Sequence, residues 1–362
     1  MNQIIFECEI TTPMFLAGAD NYTPELRPSS IKGAMRFWWR AMKGHLMIDE
    51  LREKEVKIFG GTGQNEGRSK ISLRVTYDKK NFITEKTLWN EIDFIQRRSR
   101  NGKIYKIPKS HEGITYLLYS VMMLQERPYN KIGSKFNIHL TVKEKDYENE
   151  IECVFKMFTL FGGLGSRTRR GAGSFIIKKG LEGNFYGVGI TTPEGLKEYI
   201  KKEIKPLIPC SKESTYSYSV LNGAKIYIFE PKDNWIDALE SIGKPFKEFR
   251  WINKKRVTET PNFGFPVLHR DKSLFGAGPK EKKKDIKGNI KNFLNRRSSP
   301  LIFKVVKTEN NCFIPIILWL NGELVPDNYE IMDKKGLNSN KPHITIIEEF
   351  INSLTPKKEV TL

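Results

Sequence analysis

The chain has 362 residues, of which 39% are hydrophobic and 28% are charged. A chain of this length and apolar content can bury the cores of two domains, which excludes a disordered chain and a single small module. Its 61 Lys and Arg against 42 Asp and Glu leave a formal net charge of +19, and so large a basic excess predicts a polyanionic partner.

The sequence indicates neither a membrane protein nor a secreted one. No stretch approaches the roughly 20 apolar residues that a membrane helix needs. The first residues, Met1–Glu7, contain no basic region followed by an apolar run, so we expect no signal peptide. The four cysteines lie far apart without a CxxC pair, which argues against a zinc site and a disulfide framework. We therefore expect a cytoplasmic protein without a bound metal.

The first half of the chain is predicted to alternate strands and helices. Strands are predicted at residues 3–10, 71–77, 116–124, 135–142 and 174–178, and helices at 29–43 and 150–161. Residues 96–113 are polar and basic and are predicted to form an exposed loop. With insertions set aside, the order is β-α-β-β-α-β, that of the ferredoxin-like, RRM-like fold.

The second half is predicted to start another mixed unit after a glycine-rich stretch. Gly180 to Pro193 marks the boundary, which gives one domain at residues 1–190 and another at 191–362. Strands are predicted at 224–229, 301–306 and 313–320, and helices at 235–249 and 343–354. Residues 271–297, rich in Lys and Gly, are predicted to be a basic insertion, partly helical or mobile. The fold class is thus α+β; no repeat is visible in the sequence, although both halves could share one fold.

The predicted helix 29–43 has two contrasting faces. One is an apolar stripe made by Ile31, Ala34, Met35, Trp38, Ala41 and Met42. The other is a basic stripe made by Lys32, Arg36, Arg40 and Lys43, and no acidic residue occurs between Leu26 and Ile48. Because a solvated face usually mixes charge signs, contact with phosphates is the favoured interpretation and a merely basic surface is the alternative.

The start of this helix adds further candidate contacts. Arg27 precedes it, and Ser29 and Ser30 offer hydroxyl and backbone N–H groups at the positive end of the helix dipole. Trp39 is expected to pack in the core, although it could also present a face on which a base stacks.

A second candidate site is the glycine- and arginine-rich segment Phe161–Phe175. It holds five glycines and three arginines, a composition that allows close backbone approach to an anion and supplies forked donors for phosphate oxygens. The alternative is an ordinary flexible hairpin. The patterns of a P-loop and of GxGxxG are absent, so neither nucleotide hydrolysis nor a cofactor is indicated.

Together these segments resemble the RAMP superfamily of CRISPR-associated RNA-binding proteins. Within it, the run Glu25–Arg40, ELRPSSIKGAMRFWWR, is similar to the signature of the first Cmr subunits of type III-B effector complexes. A further resemblance is the step Arg297–Leu301, RSSPL, which enters a predicted strand of the second domain.

The resemblance implies two ferredoxin-like domains and a place at one end of a ribonucleoprotein that targets RNA. It implies contact with the guide RNA near its 3′ end or with the guide–target duplex there, while the chemistry of cleavage and signalling belongs to partner subunits. The candidate RNA-binding residues are Arg27, Ser29, Ser30, Lys32, Arg36, Trp39, Arg40, Lys43, Gly162, Gly163, Gly165, Ser166, Arg167, Arg169, Arg170 and Gly171.

Two other functions remain open from the sequence. Some RAMP relatives cut precursor guide RNA without a metal, which needs a general base such as His; His45, beside the basic helix, is the candidate here. His111, His139, His269 and His343 lie elsewhere in the sequence. The chain could instead be a protein scaffold without direct RNA contact. Whether the basic segments 97–103 and 280–297 contact RNA is left open too.

Overall fold

The computed structural model describes residues 2–64, 66–124, 126–179, 190–210, 216, 218–268, 274–337, 345–355 and 357–362. Its helices are α1 (Pro28–Met42), α2 (Ile48–Phe59), α3 (Glu112–Leu117), α4 (Glu148–Phe161), α5 (Pro193–Tyr199), α6 (Trp235–Ile252) and α7 (Thr345–Asn352). Its strands are β1 (Asn2–Ile10), β2 (Ile71–Thr76), β3 (Thr84–Glu85), β4 (Phe94–Arg98), β5 (Ile104–Pro108), β6 (Tyr129–Asn130), β7 (Lys135–Val142), β8 (Phe175–Lys179), β9 (Val220–Ile228), β10 (Val267–Leu268), β11 (Leu274–Pro279), β12 (Leu301–Lys307), β13 (Phe313–Asn321), β14 (Tyr329–Asp333) and β15 (Lys358–Thr361).

The N-terminal sheet is antiparallel and has the order β2-β7-β1-β8. Along β1, Ile4, Phe6 and Cys8 are buried while Ile5 and Glu7 are exposed, as expected when one face of a sheet is covered. Helices α1 and α4 cover the buried face, where the rings of Phe6 and Phe155 stack with their centroids 4.1 Å apart. The chain passes through this unit in the order β1-α1-β2-β7-α4-β8.

The C-terminal sheet repeats that arrangement. It is antiparallel with the order β12-β13-β9-β15, and the chain passes through it as β9-α6-β12-β13-α7-β15. In both sheets the strands therefore lie in the order second, third, first, fourth. No repeat is visible in the sequence, although the two sheets share this strand order.

The two sheets are connected through the helices of the N-terminal unit. On one face of the C-terminal sheet, Ile302, Ile316 and Leu318 belong to the same core as α1 and α4. On the other face, Leu301 and Phe303 pack with α6 and α7. Since both faces are buried, the strands β12 and β13 are apolar almost throughout. The layers follow one another as sheet, helices, sheet, helices.

The prediction of a strand at residues 116–124 is wrong. This segment contains the end of α3 and a π turn at Ser120–Leu124. Leu117, Leu118, Val121 and Met122 are buried at helical spacing in the core shared with α6. The apolar run therefore follows the period of a helix, not that of a strand.

The basic segment 96–113 is a hairpin rather than a loop. Strands β4 and β5 pair antiparallel, from Phe94 opposite Pro108 to Arg98 opposite Ile104. Ile95, Ile104 and Tyr105 remain exposed, since the hairpin is paired only with itself.

The helical reading of the insertion 271–297 is wrong for its described part. β11 joins a sheet of the order β10-β11-β14, and residues 280–297 form turns and isolated bridges, such as Lys284 opposite Ile290. Gly288, at a positive φ of 77°, favours a turn over a helix. Residues 271–273 lie outside the described ranges, as do residues 343 and 344 at the predicted start of α7.

The remaining predicted elements match within a few residues, whereas α2, α5, β3, β6, β10, β14 and β15 were not predicted. The domain boundary at residue 190 stays a prediction, because residues 180–189 lie outside the described ranges. Within the described residues, no helix combines the length and the apolar character needed to cross a membrane.

Candidate nucleic-acid interface

The start of α1 and the glycine–arginine loop, residues 162–173, line an open cavity of 350 Å³. It is lined by Phe15, Leu16, Ala17, Asn21, Ser30, Ala34, Arg127, Gly163, Leu164, Gly165, Ser166 and Thr168. Of the predicted contacts, Ser30, Gly163, Gly165 and Ser166 thus meet at one place. Asn21 and Arg127 were not predicted, and no motif in the sequence connects them to the site. Thr168 lies within the predicted segment Phe161–Phe175 but was not among the candidate contacts.

The end of α1 that faces this cavity is electrostatically positive. Its N-cap, Arg27, makes no side-chain capping hydrogen bond within the described structure, Pro28 occupies the first helical position, and the first turn has no acidic residue. Ser29 is exposed and Ser30 half-buried there. The helix dipole is therefore available to an anion.

The glycines of the loop serve close packing more than anion binding. A Cβ at Gly165, whose φ is 93°, would lie 2.4 Å from the carbonyl oxygen of Phe15. The backbone N–H of Ser166 donates to that same oxygen at 2.8 Å, and that of Leu164 donates to Gly173 at 2.9 Å. The expectation that successive N–H groups of the loop face an anion is therefore wrong for these residues.

Gly162 and Gly171 are buried and are not placed to contact RNA. The carbonyl oxygen of Gly162, at the end of α4, accepts a hydrogen bond from Lys304 Nζ at 2.5 Å. A Cβ at Gly171 would lie 2.3 Å from Leu239 of α6. Both glycines allow the loop to pack closely between the two units, which corrects their prediction as RNA contacts.

Arg169 and Arg170 join the loop to the C-terminal unit. Arg169 Nη1 donates to the carbonyl oxygen of Ser299 at 2.6 Å, and Arg170 Nη2 donates to that of Phe263 at 3.1 Å. The Arg170 guanidinium lies 5.1 Å from the ring centroid of Phe246 and 5.3 Å from that of Phe303. Burial lowers the pKa of Arg170 to about 9. The contacts of both side chains are with the C-terminal unit, which corrects their prediction as phosphate contacts.

Arg167 is the arginine of the loop with the fewest identified contacts. It is half-buried, in the left-handed conformation with φ of 64°, and its Nε has no hydrogen-bond partner among the described residues. Burial lowers its pKa. Arg167 is not among the residues that line the cavity, and its contact with RNA stays a prediction.

The basic stripe of α1 is partly neutralised by acids from elsewhere. Arg36 Nε lies 2.8 Å and Arg40 Nε 3.4 Å from the two oxygens of Glu55 on α2. Lys43 Nζ lies 2.6 Å from Glu150 on α4. The acid-free stretch of sequence could not show this, because the partners are distant along the chain.

Positive charge nevertheless remains in excess along α1. Burial, with the charges of Arg36 and Lys143, lowers the pKa of Lys32. The side chain of Arg40 is 46% exposed, and its ion pair with Glu55 is long, with 3.4 Å between Nε and the carboxylate oxygen. Lys143, at the end of β7, is a member of this basic group that the sequence did not reveal.

Trp39 is a core residue and cannot stack on a base. It is fully buried and its Nε1 donates to Glu150 at 2.8 Å. Its ring meets Phe59 of α2 at a centroid distance of 6.2 Å. The reading of Trp39 as a stacking face is therefore wrong, and its packing role is confirmed.

His45 does not join the cavity. It follows the C-terminal end of α1, so the helix places it ~20 Å from Ser30 at 1.5 Å per residue. Burial, with the charges of Lys43 and Lys54, lowers its pKa. His139 Nε2 bonds Thr76 at 2.9 Å on the N-terminal sheet, while His269 and His343 lie outside the described residues. The described part of the chain contains no cluster of three or more His, Cys, Asp or Glu that could hold a metal ion.

Comparison with known proteins gives the same family from sequence and fold. The RAMP superfamily profile matches residues 7–176. The Cmr subunit Cmr1-2 of Pyrococcus furiosus is 34% identical over 197 residues, which cover 49% of this chain and 96% of that protein. Subunit Cmr1-1 of the same organism is 26% identical over 381 residues, covering 98% of this chain and 97% of that protein.

Solved structures share the fold over nearly the whole chain. The crystal structure of apo Cmr1 from Pyrococcus furiosus matches with a TM-score of 0.60 at 21% identity and covers 99% of this chain and 98% of that chain. A chain of the type III-B Cmr-beta complex bound to cognate target RNA matches with a TM-score of 0.55 at 14% identity, covering 96% and 98%. At such identities the match concerns the fold alone.

Proposed function

The chain belongs to the RAMP superfamily and within it to the Cmr1 subunits of type III-B CRISPR systems, and we therefore propose that it is an RNA-binding subunit of a Cmr effector ribonucleoprotein. The observation that carries this proposal is the cavity between the start of α1 and the glycine–arginine loop. It combines the N-terminus of α1, which lacks a side-chain cap, with the cationic side chain of Arg127, a combination suited to an RNA phosphate.

The RNA runs along α1 in this proposal. A phosphate occupies the cavity near Ser30, and the RNA backbone crosses the exposed start of α1 to the other flank of the helix, where it passes Lys32 and Lys143 toward Arg40. The RNA is the guide near its 3′ end, or the guide–target duplex there, in defence against foreign RNA. A solved Cmr-beta complex that contains a chain of this fold is bound to cognate target RNA, which supports a role beside target RNA.

Both units of the chain are, we propose, ferredoxin-like domains. The identical strand order of the two antiparallel sheets and the same β-α-β-β-α-β connectivity support this. The C-terminal sheet has both faces covered, so its strands are not open to RNA. Contact through helix α1 and the loop, rather than through that sheet, follows from the packing.

The subunit performs no catalysis of its own in this proposal. The separation of His45 from the cavity supports that reading. Its partners are guide and target RNA and other Cmr-type RAMP subunits, and it works in the cytoplasm without contact to a membrane. The exposed arginines of the β4–β5 hairpin and the lysines of residues 280–297 remain candidate further contacts.

The test is ultraviolet cross-linking of the complex purified from its host, followed by sequencing of the RNA and of the cross-linked peptides. We expect guide RNA, with cross-links in residues 27–43 and 163–168. Cross-links confined to residues 97–103 or 280–297 would move the RNA site elsewhere. Purification without RNA or RAMP partners would contradict the proposal.

A further inference from the structure

Trp251, at the C-terminal end of α6, is 68% exposed. By contrast, Trp38, Trp39, Trp89 and Trp235 are each at most 5% exposed. Burial of an indole contributes strongly to stability, so a tryptophan left in water on a well-packed helix is unusual. Its side chain is not needed by either core of this molecule.

The surroundings of Trp251 are strongly basic. Residues 244–256 contain six cations, Lys244, Lys247, Arg250, Lys254, Lys255 and Arg256, against one acid, Glu248. Lys247 pairs with Glu112, and Arg256 pairs with Glu259 and Glu349. Lys254 lies over the indole, with its Nζ 3.7 Å from the ring centroid, and Lys255 is exposed beside it.

This basic surface adjoins the glycine–arginine loop. Arg250, next to Trp251, donates from Nη1 to the carbonyl oxygen of Thr260 at 2.7 Å and lies 5.2 Å from the ring centroid of Phe263. Arg170 of the loop donates to the carbonyl oxygen of the same Phe263. The turn at Thr260–Phe263 thus connects the loop with the end of α6.

We propose that the C-terminal end of α6 is a second binding site for single-stranded RNA, in which an unpaired base stacks on the face of Trp251 that Lys254 leaves open, while Lys254 and Lys255 contact the flanking phosphates. An exposed aromatic ring among lysines is the combination that binds single strands, since stacking is open to any base and the cations follow the backbone. A duplex hides the faces of its bases and could not use the ring.

The main alternative is a protein-binding surface, because Ile252 beside Trp251 is 77% exposed. The lysines argue against it, since lysine is depleted at the centre of protein interfaces. The inference rests on the proposed function and extends it to a strand outside the α1 cavity.

The test compares the full-length chain with Trp251→Ala for binding of a fluorescein-labelled oligouridine and of inorganic polyphosphate. Loss of the stacked base should weaken RNA binding about tenfold, while polyphosphate, which has no bases, should bind equally to both. Trp251→Phe should retain most of the RNA affinity, and the matched control Ile252→Ala all of it. The replaced side chains are exposed, so the variants should fold, which circular dichroism checks.

Substitution of Lys254 and Lys255 tests the phosphate contacts independently of the stacking. Lys254→Ala with Lys255→Ala should weaken both ligands and reduce the salt slope for RNA by about 1.4, or about 0.7 per phosphate contact. RNA affinity unchanged in Trp251→Ala, while the wild type binds RNA, would overturn this site alone. A wild type that does not bind RNA would overturn the proposed function as well. If the wild type self-associates and both Trp251→Ala and Ile252→Ala abolish this while RNA affinity is unchanged, the surface binds protein rather than RNA.

Discussion

Glu55 decides how much of the positive charge on α1 is available to a phosphate. Its carboxylate lies between Arg36 and Arg40 and is mostly buried. An RNA phosphate that approaches these arginines must compete with it. The residue therefore holds the guanidinium groups in place and at the same time limits their attraction for RNA.

Glu55→Gln is expected to strengthen single-stranded RNA binding about two- to fivefold, because it removes the charge that competes with phosphate for Arg36 and Arg40, and a partly exposed ion pair contributes about 0.5–1 kcal/mol. Fluorescence anisotropy measures the change. The matched control is Glu53→Gln, whose carboxylate pairs with Lys57 on α2. Weaker binding by Glu55→Gln would show that orientation of the arginines outweighs the competing charge.

Lys304 gives the chain a predicted dependence of stability on pH. Burial lowers its pKa to about 7, while the unfolded chain keeps its proton up to a pKa near the ordinary 10.5. Between these values the unfolded state binds more protons, so stability rises as the pH increases. For one group the slope reaches at most about 1.4 kcal/mol per pH unit.

The measurement is urea unfolding of wild type and Lys304→Met from pH 6 to 8, a range that ends below the pKa of about 9 for Arg170. The wild type should gain stability relative to the variant as the pH rises through 7. Parallel pH profiles of the two proteins would mean that Lys304 stays charged in the folded state.

At the scale of elements, the glycine–arginine loop acts chiefly as a connector between the two units. Arg170→Ala should lower the free energy of unfolding by about 2–4 kcal/mol, since it removes a hydrogen bond from a charged group and two ring contacts. Arg40→Ala, on the exposed part of α1, should change it little. Urea unfolding measures the free energy of unfolding of both variants. If Arg170→Ala binds RNA more weakly at unchanged stability, Arg170 contacts RNA after all.

The sequence predicted those helices and strands whose own residues show a clear apolar periodicity. α1 follows from its apolar stripe at helical spacing, and β7 from strict alternation. The apolar run at Leu117–Met122 was read as a strand because its helical partner, α6, is more than a hundred residues away. The partners of the candidate side chains could not be predicted for the same reason. Glu55 and Ser299 are distant along the chain from the arginines that they contact, and only the fold brings them together.

At the scale of the whole molecule, the helices of the N-terminal unit form one core with the C-terminal sheet. Separation of the units would expose Ile302, Ile316 and Leu318, which are at most 2% exposed in the chain. The full chain should therefore unfold in one cooperative transition, with calorimetric and van't Hoff enthalpies equal. Two resolved calorimetric transitions would show that the units are independent.

The most direct test of RNA binding through α1 is the affinity of the purified chain for single-stranded RNA as a function of salt. The logarithm of the association constant should fall linearly with the logarithm of salt concentration, with a slope of about −0.7 per phosphate contacted. Arg36→Ala with Arg40→Ala should make that slope shallower by about 1.4, and the RNA should stay intact. Binding insensitive to salt, a slope unchanged in the double variant, or time-dependent RNA products that disappear in His45→Ala would contradict the account.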